Sequence, residues 1–103
     1  MTLEDIQNLL EVTGLPVAYR AFPEGYAPGL PFICYLTPGT NNFAADDMTY
    51  HVIDSVQVEL YTEFKDPATE RKVEEALSGL YWDKSIEYID SERCYQIIYE
   101  IEV

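Results

Sequence analysis

The sequence predicts an α+β fold: a mainly antiparallel sheet with two helices packed on one face, in the order helix, strand, strand, strand, helix, strand, strand (α-β-β-β-α-β-β). Three observations lead there. From Tyr50 to Leu60 apolar residues hold alternate positions (Tyr50, Val52, Val56, Val58, Leu60) with Ser55, Gln57 and Glu59 between them, the pattern of a strand covered on one face. The period then changes: Asp66 is a good N-cap, Pro67 suits the first helical position, and Val73, Ala76, Leu77 and Leu80 recur at three- and four-residue steps. From Cys94 to Val103 the alternation returns, with Tyr95, Ile97, Tyr99, Ile101 and Val103 on one face and Gln96, Ile98, Glu100 and Glu102 on the other.

The remaining elements follow in chain order. Thr2 can cap a first helix with Asp5 at its third position, and Leu3, Ile6, Leu9 and Leu10 make one stripe before Gly14 ends it. Val17 to Phe22 reads as a strand, closed by a Pro/Gly-rich connection from Pro23 to Gly29. Pro31 to Thr37 (PFICYLT) is almost wholly apolar, so a central place or cover on both sides is expected, with pairing to the long strand. Pro38 to Met48 (PGTNNFAADDM) is a loop of turn formers holding Asp46, Asp47 and one large aromatic, Phe43. Phe43 there either meets a partner or folds back on its own domain. Tyr81-Trp82-Asp83 belongs to the connection after the second helix, a strand runs from Ser85 to Ile89, and Asp90 to Arg93 turn the chain into the last strand. If Val56, Val58, Leu60, Ile97, Tyr99 and Ile101 meet the helices, then Gln57, Glu59, Tyr61, Gln96, Ile98, Glu100 and Glu102 face away from them. That second face is acidic but not purely polar, as plain solvation or selection for repulsion would make it. Asp54, on the apolar side of the long strand, is best accommodated by a bulge or by strand entry at that point.

At 103 residues and 48% hydrophobic composition the chain makes one domain, residues 1–103, able to bury a core without staples. No run approaches the roughly 18 apolar residues of a membrane span, and Met1 leads into an acidic helix, so no membrane association is expected. Cys34 and Cys94 form no CxxC pair and read as two reduced thiols. Charge is the strongest deviation, with 19 acidic against 6 basic residues and a net charge of −13. Up to Ala45 there are four acids and Arg20; from Asp46 onward there are fifteen acids and five bases. Such a field disfavours independent nucleic-acid binding, where cations must release counterions from phosphates. It fits a surface past which DNA slides without sticking, a DNA mimic that occupies a basic site on another protein, or simple solubility.

Catalytic sets are thin, and no cofactor or metal is expected. His51 is the only histidine, and with Asp46, Asp47 and Asp54 nearby it matches no ligand spacing, although a small hydrolase centred on it is a conceivable third reading. There is no GxxxxGK loop, no GxGxxG fingerprint and no GxSxG elbow. Glu74 and Glu75, three and four steps from Arg71 and Lys72, read as an exposed charge-laced helix face. Tyr26, Phe43 and Tyr61 are the candidate exposed aromatics for a partner interface.

The element order, together with PFICYLT, NFAADDMTY and above all VQVELYTEFKDPATERKVEEAL, resembles the tail terminator and head–tail joining (minor tail, tail completion) proteins of long-tailed bacteriophages and prophages. The likeness runs from the first helix to the last strand. It implies a structural, non-enzymatic virion protein of the tail or neck, assembled in the bacterial cytoplasm into a homo-oligomeric ring, commonly a hexamer. Such a ring contacts the tail tube protein and a head completion or connector protein. On this resemblance Phe43, Asp46 and Asp47, with Tyr26 and Tyr61, serve subunit or partner interfaces, while Glu59, Glu100 and Glu102 face the lumen.

Overall fold

The structure is a computed structural model that describes residues 1–23, 25, 26, 28–37 and 55–102. Among these residues two helices and five strands follow one another as α1 (Leu3–Glu11), β1 (Val17–Tyr19), β2 (Phe32–Leu36), β3 (Ser55–Thr62), α2 (Pro67–Ala76), β4 (Tyr81–Ile89) and β5 (Cys94–Glu102). The strands form one sheet in the order β1-β2-β3-β5-β4. Only β1 and β2 run parallel; the other three neighbouring pairs are antiparallel. This is the α+β architecture that the alternation and the helical stripe predict.

Both helices start on side-chain caps. Thr2 Oγ1 accepts from the Asp5 backbone N–H at 3.1 Å and Asp5 Oδ2 accepts from the Thr2 N–H at 2.8 Å, a reciprocal box that satisfies two donors otherwise left open by the first turn. Asp66 caps α2 by accepting from the Thr69 N–H at 3.2 Å and from its hydroxyl at 2.7 Å, with Pro67 in the first turn where no N–H is missed. After α1 the chain reverses at Gly14, whose φ of +82° is left-handed and free for a residue without Cβ. Gly14→Ala is expected to cost about 1–2 kcal/mol through that backbone strain, read as a lower urea midpoint with an unchanged slope.

The helices bury Ile6 and Leu10 from α1, and Val73 and Leu77 from the second helix and its cap, against one face of the sheet. That face is built row by row from the strand register: Ile33, Leu60 and Ile97; Tyr35, Val58 and Tyr99; Val56 and Ile101. All of these belong to one buried cluster. β2 lies inside the sheet, and Ile33, Cys34 and Tyr35 are buried in succession, so the continuous apolar run does report cover on both sides.

Two strand boundaries differ from the expectation. β1 stops at Tyr19, not Phe22, because Arg20 takes a left-handed φ of +66° while its N–H still donates to Tyr35 O at 2.8 Å. β4 begins at Tyr81 and not at Ser85, since every residue from Tyr81 to Lys84 finds a partner on β5. Trp82 packs edge-on to Tyr99 with ring centroids 5.5 Å apart, which brings the presumed connection into the sheet. Residues 50–54, the expected start of the long strand, and Val103 lie outside the described residues.

Candidate functional site

The register places a second set of side chains on the face away from the helices. Its rows are Phe32, Tyr61, Gln96 and Glu87; Cys34, Glu59, Ile98 and Ser85; Leu36, Gln57, Glu100 and Asp83; and Ser55, Glu102 and Tyr81. Glu59, Asp83, Glu87, Glu100 and Glu102 thus share one surface, and no described strand position on it carries Lys or Arg. Glu100 stands directly opposite Asp83 on the neighbouring strand. Like charges in that relation destabilise a sheet. Asp83 and Glu87 were not singled out from sequence; the alternation of Trp82, Ile86 and Tyr88 carries the signal, broken by Lys84 on the same face.

Glu59 differs from the other expected lumen-facing residues. Glu100 and Glu102 are exposed, whereas Glu59 lies on the same face but keeps only 9% of its surface. Gln57 Nε2 donates to Glu59 Oε2 at 2.7 Å, Tyr61 donates its hydroxyl to Glu59 Oε1 at 2.8 Å, and Gln96 Nε2 donates to the Tyr61 oxygen at 2.9 Å. Residues two apart on a strand project to the same side, so Gln57 and Tyr61 flank Glu59 by the geometry of β3 itself. Burial, reinforced by the hydrogen bond to Glu59, holds the Tyr61 phenol well above its ordinary range. Tyr61 is accordingly a half-buried part of this network rather than a free aromatic. Beside it, Phe22 and Phe32 meet edge-on at 5.3 Å, and Arg20, Ala21 and Cys34 complete an open hollow of about 270 Å³. Burial, with the Glu59 charge adding to it, pushes the Cys34 thiol up to about 11, which leaves it a poor nucleophile at neutral pH. Cys34 and Cys94 are both free and buried.

Of the interface candidates, Tyr26 is 79% exposed. Phe43, Asp46 and Asp47, and with them His51 and Asp54, lie outside the described residues. Among the described residues no three His, Cys, Asp or Glu side chains gather as a metal-ligand set, and no helix is long and apolar enough to cross a membrane.

A second charged cluster, invisible in the sequence reading, lies on the helix side. Glu70 in α2 is 2% exposed and receives Lys65 on one carboxylate oxygen and Lys84 on the other, the latter at 2.6 Å. Lys84 also reaches Glu74 Oε2 at 2.7 Å, and Tyr99 donates its hydroxyl to that same oxygen at 2.8 Å. Glu74 is therefore not the exposed surface acid expected beside Arg71 and Lys72; Glu75, Arg71 and Lys72 are exposed as expected. Burial works to raise the Glu70 and Glu74 carboxyls, but hydrogen bonds and charge from the lysines, with Tyr99 adding at Glu74, outweigh it and hold both below the ordinary carboxylate value. Every charge here has a partner, so the cluster ties α2 to β4 and leaves no group poised for chemistry.

In comparisons with known proteins, no family model and no curated protein matches this chain.

Proposed function

We propose that the chain is a structural virion protein that caps or completes the tail tube of a long-tailed bacteriophage and joins it to the head. It acts as one subunit of a homo-oligomeric ring, without catalysis or cofactor, and turns its acidic sheet face toward the passing DNA. One observation carries the reading: five carboxylates share a sheet face with no cation at any described strand position, two of them, Asp83 and Glu100, directly opposed. Solubility asks only for scattered surface acids, whereas opposed acids cost stability and create a field that repels a polyanion. The resemblance of the β3–α2 segment to tail completion proteins supports the same reading.

The test has two parts. At high concentration, alone or with tail tube protein, the purified chain is expected to sediment as a closed ring of several copies. The Asp83→Lys/Glu100→Lys variant is expected to gain salt-sensitive DNA binding in a gel shift that the parent lacks. A chain that stays monomeric with and without tube protein overturns the ring. The same acidic face, with Glu100 and Glu102 exposed, also supports a DNA mimic directed at a DNA-binding enzyme. A persistent monomer that blocks such an enzyme at low salt selects that second reading.

A further inference from the structure

The two edges of the sheet are unequal. β1 is three residues long, is ended by left-handed Arg20, and has its Val17 carbonyl engaged by Gln7 Nε2 at 3.3 Å. β4 is nine residues long, pairs with β5 at every one of them without a bulge, and contains neither Pro nor Gly. Among the described residues nothing pairs with its outer side. Exposed edges are normally guarded by short length, proline, bulges or charged side chains. The one lysine of β4, Lys84, is turned inward and held by Glu70 and Glu74. The guard that remains is the charge of Asp83 and Glu87, and beside it the edge shows Tyr81 (67% exposed), Ile86 (42%) and Tyr88 (48%). Ile86 and Tyr88 project on the helix side; Tyr81, Asp83 and Glu87 project on the acidic side.

A second copy is a poor occupant. An antiparallel self-pairing must match residues of the same face, so it centres on a single residue. Centred on Asp83, Lys84 or Glu87 it opposes identical charges, and centred on Ser85 it sets Asp83 against Glu87 twice. Among centres that pair five or more β4 residues, only Ile86 avoids direct opposition, and there Glu87 lies diagonal to its own copy while two chains of net charge −13 are brought together.

We infer that the β4 edge binds an extended segment of a different protein by strand addition, the segment alternating apolar residues, set against Ile86 and Tyr88, with Lys or Arg set against Asp83 and Glu87. Main-chain hydrogen bonds along β4 supply the affinity, and the alternation supplies the choice of partner. This does not rest on the ring reading, whose expected contact residues, Tyr26, Phe43, Asp46, Asp47 and Tyr61, are not on β4.

The probe is a labelled, end-blocked peptide as long as β4, nine residues, with Lys and Ile alternating, followed by fluorescence anisotropy. It is expected to bind at least about tenfold tighter than an isomer with the same residues in two blocks, because only alternation places lysines and apolar groups on separate faces. N-methylation of alternate peptide nitrogens is expected to abolish binding in one phase and leave it within about twofold in the other, since only every second N–H points at the edge. The Asp83→Lys/Glu87→Lys variant, checked by circular dichroism, is expected to prefer an alternating Glu/Ile peptide instead. Equal binding of the block isomer would reduce the effect to bulk charge attraction and overturn the inference. So would indifference to both N-methyl phases, absence of peptide binding, or self-association of the chain that Ile86→Lys abolishes. Protection of the β4 edge amides from exchange in the isolated monomer would overturn it as well.

Discussion

Val58→Asp leaves no folded domain. Val58 is fully buried at the middle of β3, the central strand, between Tyr35 on β2 and Tyr99 on β5. A carboxylate there loses its water and gains no partner. Lys84 lies in the same row but two strands away, about 10 Å, and is already held by Glu70 and Glu74. An unpaired buried charge together with the lost packing costs more than about 5 kcal/mol, against a total stability of roughly 5–15 kcal/mol for a domain of ordinary size. Far-UV circular dichroism and a urea titration are expected to show an unfolded baseline with no cooperative transition at 25 °C. A cooperative transition near the parent midpoint would remove Val58 from the core.

Lys84→Met is expected to cost about 2–4 kcal/mol, toward the lower side of the range for breaking a buried pair because Lys84 keeps some contact with water. The loss arises mainly at Glu70, which is 2% exposed and is left with Lys65 alone, itself 46% exposed. Tyr99 would still donate to Glu74, so part of the cluster survives. Replacing both partners, as in Glu70→Gln/Lys84→Met, removes the stranded charge and is expected to recover a large part of the loss, the coupling being read from a double-mutant cycle. The pH dependence provides a second readout. Glu70 and Glu74 are held below their ordinary value of 4.5 in the folded chain, so the folded state binds fewer protons than the unfolded one in that region. Their stabilisation is present above pH 4.5 and is lost as the pH falls through the lower folded values. Lys84→Met is expected to flatten that acid limb. A Lys84→Met chain with parental stability and an unchanged acid limb would deny the cluster its part in holding α2 to β4.

Where one side chain at a time decided the structure, the sequence was readable. The caps at Thr2 and Asp66, the stripe of Val73 and Leu77, and the alternation along β3 and β5 each report a local preference, and each appears in the fold. Glu70 and Lys84 show where such reading stops. Glu70 lies three residues before Val73 and seven before Leu77, on the stripe that faces the sheet, and Lys84 alternates with Trp82 and Ile86 on the face that receives α2. Each alone looks like a polar interruption of an apolar pattern; the two explain one another only when α2 lies over β4. Lys84 thereby concealed the first half of β4, and with it Asp83 as a member of the acidic face. Glu59 was placed on the correct face by alternation, but its cover by Tyr61 and Gln57 depends on rotamers and on the connection after β1 folding back near Phe32. No period in the sequence encodes that.

The inequality between the short first strand, with one carbonyl taken by Gln7, and the long fourth one, unpaired on its outer side among the described residues, bears on how growth is limited. Open-ended fibres built by joining sheets need each molecule to offer a donor margin and an acceptor margin, so that every addition regenerates a site for the next. Here, among the described residues, the β1 margin is three residues long, with its Val17 carbonyl taken by Gln7 of the first helix and its Tyr19 carbonyl by the Ala21 N–H, so it offers little to a further strand. A copy of this chain joined through its β4 margin therefore regenerates no equal margin on its other side, which disfavours head-to-tail sheet polymers of the chain.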